Sequence, residues 1–80
     1  MIFNQIPASL LVGTPADGVK MWYAFANGCQ WLISEDDGQF AASFKRYGMF
    51  EKPATFVGEG YADFDAAQRA CDAAAIRQLS

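Results

Sequence analysis

Val19-Lys20-Met21-Trp22-Tyr23-Ala24-Phe25-Ala26-Asn27-Gly28-Cys29-Gln30-Trp31-Leu32-Ile33 sets the architecture of this chain. Strand-forming residues, many of them aromatic, crowd both of its halves, and Asn27-Gly28 stands between them. A type I′ turn needs positive φ at both central residues, which Asn and Gly adopt at little cost, so the pair marks a two-residue hairpin loop. Such a loop fixes the register: Ala26 faces Cys29, Ala24 faces Trp31 and Trp22 faces Ile33. One face of the hairpin therefore collects Trp22, Ala24, Trp31 and Ile33, and the other takes Met21, Tyr23, Phe25 and Leu32.

Working outward, a second turn is predicted at Glu35-Asp36-Asp37-Gly38. Whether its loop holds two residues or four, parity sends Phe40, Ala42 and Phe44 to the side of Trp31 and Ile33, with Ser43 and Lys45 opposite. Residues 47–53 read as a connection, and residues 54–61 as a fourth strand weakened or kinked by Gly58 and Gly60. Asp63 then suits a helix N-cap, Asp65 the first turn, and the alanines of residues 66–79 a helix. At 100° per residue Phe64, Ala67, Cys71, Ala74, Ala75 and Gln78 share a stripe, while Ile76 falls outside it. Small side chains on that stripe let the helix backbone lie close to large ones on the sheet. The expected fold class is α+β: a three- to four-stranded antiparallel sheet with one C-terminal Ala-rich helix packed on one face, in a single small domain over residues 1–80.

The segment before the hairpin is broken by Pro7 and Pro15, and reads as a short strand, a helical turn from Pro7 and a loop. Its Ile2, Phe3, Ile6, Leu10 and Leu11 are expected to fold over the second sheet face. An antiparallel sheet face in water should be polar, and this one is half aromatic. The alternative is a contact surface, formed by Tyr23, Phe25 and Leu32, for a partner or for a second copy of the chain.

Composition bounds the function. Eighty residues leave room for one domain, and 52% hydrophobic residues exceed what a disordered chain carries. The longest apolar run, residues 21–26, is far short of the about 20 residues of a membrane span, and the N-terminus lacks the pattern of a secretory signal. The expectation is a cytoplasmic protein without a membrane partner. The absence of histidine removes every mechanism built on imidazole, and two cysteines cannot hold a structural zinc. No metal or cofactor is expected. A net charge of -3 disfavours direct nucleic-acid binding, which needs a surplus of cations. Lys45, Arg46 and Lys52, with Glu51 among them, read as a solvated loop.

Catalysis is hard to assemble from this inventory. Asp63 and Asp65 suit a helix start, Asp36 and Asp37 a turn, and Cys29 and Cys71 project onto the apolar face, where thiols are inert. The chain is expected not to be an enzyme, and its cysteines not to form a disulfide. The densest charge, Glu35, Asp36 and Asp37, lacks the ligand spacing of a calcium loop. It forms either a soluble turn or an acidic finger that enters a basic groove as a nucleic-acid phosphate would.

The stretch Trp22-Tyr23-Ala24-Phe25-Ala26-Asn27-Gly28-Cys29-Gln30-Trp31, followed by Gly60-Tyr61-Ala62-Asp63-Phe64-Asp65-Ala66-Ala67-Gln68-Arg69-Ala70-Cys71-Asp72-Ala73-Ala74-Ala75, resembles small phage and prophage accessory proteins. Several of those are anti-CRISPR proteins. The resemblance covers residues 20–76 and lies in pattern rather than in an invariant motif. It implies a non-enzymatic inhibitor that docks on a host CRISPR effector complex and blocks DNA recognition or nuclease recruitment. Anti-CRISPR proteins share no common functional residues, so none is carried over. The alternatives are a phage structural or assembly protein and a small regulatory protein.

Overall fold

A computed structural model describes residues 1–48 and 53–79 of the chain. Five strands and one long helix follow one another: β1 (Asn4–Gln5), β2 (Lys20–Ala26), β3 (Cys29–Asp36), β4 (Gln39–Arg46), β5 (Thr55–Tyr61) and α1 (Phe64–Leu79), with a short 3-10 turn at Ala8–Leu10. The strands form one antiparallel sheet in chain order, β1-β2-β3-β4-β5.

The hairpin register is the expected one, with Ala24 opposite Trp31 and Trp22 opposite Ile33. Asn27 and Gly28 take φ of 54° and 71°, the left-handed pair that a type I′ turn demands. The second turn repeats this device at Asp37 and Gly38, with φ of 56° and 80°. Its loop is therefore only two residues long. Strand β3 runs through Asp36, so Glu35 and Asp36 belong to the strand and project to opposite sides.

Trp31 and Ile33 are wholly buried between the sheet and the helix residues Ala67, Cys71, Ala74 and Ala75. The predicted stripe of α1 is thus the buried one, and Ile76 outside it is exposed. The side chain of Gln78 lies outside the described residues. Burying a side chain of this size stabilises by roughly 1.5–3 kcal/mol, and the alanines opposite make room for it. The indole N–H of Trp31 donates to the Ala26 carbonyl at 3.0 Å, so the ring is buried without an orphan donor. Phe44 stacks on it with ring centroids 4.6 Å apart. At the other end of the core Phe64 contacts Trp22 at 5.0 Å and Phe3 at 5.9 Å. Asp63 caps the helix by accepting from the Ala66 N–H at 2.8 Å.

Two expectations are corrected. The sheet has five strands rather than three to four, because Asn4–Gln5 pairs with the free edge of β2. A two-residue strand has no alternation to read, and it gains its place from backbone hydrogen bonds to β2 together with the contacts that Met1 and Phe3 make with α1. The N-terminal segment also does not fold over the second sheet face as a whole: Ile2 and Leu10 are exposed and Phe3 packs on the helix side, while Ile6, in phase with Asn4 on the open face, and Leu11 are half-buried. Once at the edge, its alternate side chain Phe3 turns to the helix side, and the terminal amino group reaches Asp72 on α1 at 3.1 Å. Beyond Pro7 the chain turns aside, leaving Leu10 and Val12 exposed. Of the connection expected over residues 47–53, residues 49–52 lie outside the described residues, as does Lys52 of the basic cluster.

Strand β5 departs from regular pairing. Its register against β4 shifts between the Phe40 and Ala42 pairs and again between those of Ala42 and Ser43. Gly60, at φ 74°, takes the conformation of a bulge glycine. Val57 packs on the core, while its neighbour Phe56, opposite Ser43, takes the open face and stays 62% exposed.

Candidate functional site

The open face of the sheet and its two ends carry the candidate residues. Tyr23, Phe25 and Leu32 share this face, as parity demanded. Phe25 is 56% exposed. It touches Tyr23 at 5.8 Å and Tyr47 at 6.0 Å, so three rings run in a column along the β2 side of the face. The Tyr47 N–H donates to the Gly28 carbonyl at 2.7 Å, which fixes that residue beside the first turn. Phe25, Tyr47 and the turn residues Asn27 and Gly28 line a shallow groove there. Tyr47 and Phe56 are exposed aromatic residues that were not singled out from the sequence. Extending the parity of β4 by one step beyond Lys45 would have found Tyr47.

The three carboxylates do not act as one finger. Glu35 lies on the helix side opposite Phe40, and its Oε1 accepts from the Gly38 N–H at 2.9 Å, which gives it a structural task in the turn. Asp36 lies on the open face, and Asp37 is in the turn itself. Asp36 instead joins Glu59 in lining a second groove, with Ser34 and Gln39. Glu59 could not be placed from sequence because the bulges of β5 break the parity that would assign it. The acidic groove lies about 20 Å along the sheet from Phe25, at about 3.3 Å per residue.

Charge is sorted by end among the described residues. The Asp37–Gly38 end of the sheet holds Glu35, Asp36 and Asp37, with Glu59 and the helix cap Asp63 nearby and Lys20 opposite Glu35. The Asn27–Gly28 end holds Lys45 and Arg46, and the last turn of α1 adds Arg77. The Asn27 side chain donates to the Ala75 carbonyl at 3.3 Å, which ties the C-terminal part of the helix to this end. Elsewhere charges pair locally, Asp65 with Arg69 and Asp72 with the amino terminus.

Cys29 and Cys71 are both buried. Burial, and to a lesser degree the neighbouring Asp72 carboxylate, push the Cys71 thiol up to about 11, against the pull of the terminal ammonium. It is a protonated, poorly nucleophilic packing group at neutral pH. Among the described residues no group of three or more His, Cys, Asp or Glu side chains is arranged to hold a metal ion. No described helix is long and apolar enough to cross a membrane. Comparison with known protein families, with curated proteins and with solved structures finds no match for this chain.

Proposed function

We propose that this chain is a non-enzymatic protein-binding inhibitor of the anti-CRISPR type, which sets its acidic end into a basic nucleic-acid groove of a host CRISPR effector complex and so blocks DNA recognition or nuclease recruitment. The observation that supports this reading is the sorting of charge: Asp36, Asp37 and Glu59 gather at one end, while Lys45 and Arg46 sit at the other. A molecule polarised in this way is steered acidic end first into a positive groove, where carboxylates can replace phosphates as partners of Lys and Arg. Its mass of 8.7 kDa is sufficient, since a standard interface takes only about 800 Å² from each partner.

The test is target-DNA binding by purified CRISPR effector complexes, with and without this protein. The parent is expected to inhibit. A triple variant, Asp36→Asn, Asp37→Asn and Glu59→Gln, should raise the half-inhibitory concentration at least about tenfold at low salt. The difference should shrink with ionic strength as screening shortens to about 10 Å at 0.1 M. Glu35 is left in place because it holds the turn, and Asn at position 37 tolerates the positive φ. Equal inhibition by parent and variant at low salt would rule out the acidic end as the contact. The uncovered sheet face favours a second reading, a phage structural or assembly protein, for which the parent itself would leave DNA binding unchanged.

A further inference from the structure

The second face of the sheet is the surface that the chain itself leaves open, and its size can be stated. Its strands hold 2, 7, 8, 8 and 7 residues at about 3.3 Å per residue and lie about 4.8 Å apart, so the face covers about 500 Å². Apolar patches of this size mark interaction sites.

The side chains on the face are graded across the strands. Strand β1 presents Asn4, β2 presents Met21, Tyr23 and Phe25, β3 presents Leu32 between Gln30 and Ser34, β4 presents Ala41 and Ser43 followed by Lys45, and β5 presents the exposed Phe56 opposite Ser43. A face that is thick along β2 and β5 and thin along β1 and β4 is complementary to itself after a half-turn about an axis parallel to β3, which also lays Phe56 over the partner's Asn4.

We propose that two copies of this chain pair face to face across such a two-fold axis, giving a helix–sheet–sheet–helix stack. Strand β2 of each copy lies over β4 of the other, so Met21 and Tyr23 fill the space above Ala41 and Ser43. Leu32 meets its own copy at the axis. Phe25 lies over the partner's Lys45, a cation–π contact. Aligned sheets pack in this way about 10 Å apart. The other half-turn, about an axis across the strands, sets β2 on β2 and β4 on β4, which places large on large and leaves gaps between small residues.

An area of about 500 Å² per copy belongs with the small, weak interfaces, so the pairing is concentration-dependent. The axis also brings Asp36 of both copies toward each other at one end, so salt favours association. Asp36 and Ala41 line the acidic groove as well as this interface, so pairing and docking on an effector use overlapping surface. Self-association is measured on this chain alone and inhibition with an effector present, so either can fail alone.

Sedimentation equilibrium of the whole chain, from low micromolar to near-millimolar concentration, tests the pairing. The parent should show a monomer–dimer equilibrium. Ala41→Arg, which enlarges the thin side of an exposed face, should raise the dissociation constant at least about 100-fold, and Phe25→Ala about tenfold. Asp36→Asn should tighten the dimer several-fold at low salt, with the gain fading at high salt. The axis across the strands predicts the opposite sign, because it carries Asp36 toward the partner's Lys45. Thermal melting of each variant checks the fold, and Ser43→Lys replaces Ala41→Arg if the latter unfolds. A parent that stays monomeric at every concentration, a dimer indifferent to Ala41→Arg, or a dimer weakened by Asp36→Asn would overturn the proposal.

Discussion

Gly58→Ala should destabilise this protein through one identifiable contact. Gly58 sits on β5 opposite the buried Ala42, and the ring of Tyr61 folds back over it. A Cβ built on Gly58 would overlap the Tyr61 hydroxyl and stand 2.9 Å from its Cζ, well inside the about 3.5–4.0 Å of an ordinary carbon contact. The backbone there does not require glycine, so alanine by itself should gain about 0.4–1 kcal/mol by restricting the unfolded chain. Moving the Tyr61 ring off the core against which it packs costs about 1–3 kcal/mol, in the manner of overpacked cores generally. The net loss is up to about 2.6 kcal/mol, a fall in Tm of up to roughly 10–20 °C for a domain of this size. The assay is a double-mutant cycle by thermal and urea unfolding, with Tyr61→Val as the second change. Valine is too short to reach Gly58, so in that background Gly58→Ala should become neutral or stabilising, with a coupling of about 1–3 kcal/mol. An equal effect of Gly58→Ala in both backgrounds would show that the Tyr61 ring does not cause the cost.

Ala74→Leu adds bulk where α1 lies against the sheet and should lower stability by about 1–3 kcal/mol in chemical unfolding; an unchanged midpoint would contradict the packing. Folding should be indifferent to reductant and to chelator, measured as superimposable circular dichroism melts. The Cys71 thiol gives a pH dependence of known sign. Its folded pKa is raised to about 11, so the unfolded chain loses this proton first. The contribution is complete below about pH 8.5, the ordinary thiol value, and is lost as pH rises toward 11. The expected loss is of the order of 3 kcal/mol relative to Cys71→Ala, whose unfolding titrates without this group. Coincident pH profiles for parent and variant would refute the burial argument.

Several features of the open face were legible because they rest on alternation between fixed turns. Asn27-Gly28 set the register, and that register placed Tyr23, Phe25 and Leu32 together. The acidic residues were legible only as a cluster. Three consecutive carboxylates do not reveal that one of them bonds the turn, and a strand that continues to Asp36 divides them between two faces. Glu59 and Phe56 were not legible at all, since a bulge inserts a residue and reverses parity at a point that the sequence marks only by its glycines.

The hairpins, the face that each of their side chains takes, and the helix stripe Ala67, Cys71, Ala74 and Ala75 are written in the order of the residues. All of these follow from local turn chemistry and from periods of 2 and 3.6 residues. The place of the N-terminal segment follows instead from contacts made in the folded chain. Its Ile2, Phe3 and Ile6 carry enough apolar surface to cover the second face, yet the unpaired backbone of β2 offered hydrogen bonds and Asp72 offered the amino terminus an ion pair. Those partners are distant in the chain, so no local pattern announces them. The same choice left Phe25, Tyr47 and Phe56 in solvent, and with them the surface on which the proposed dimer depends.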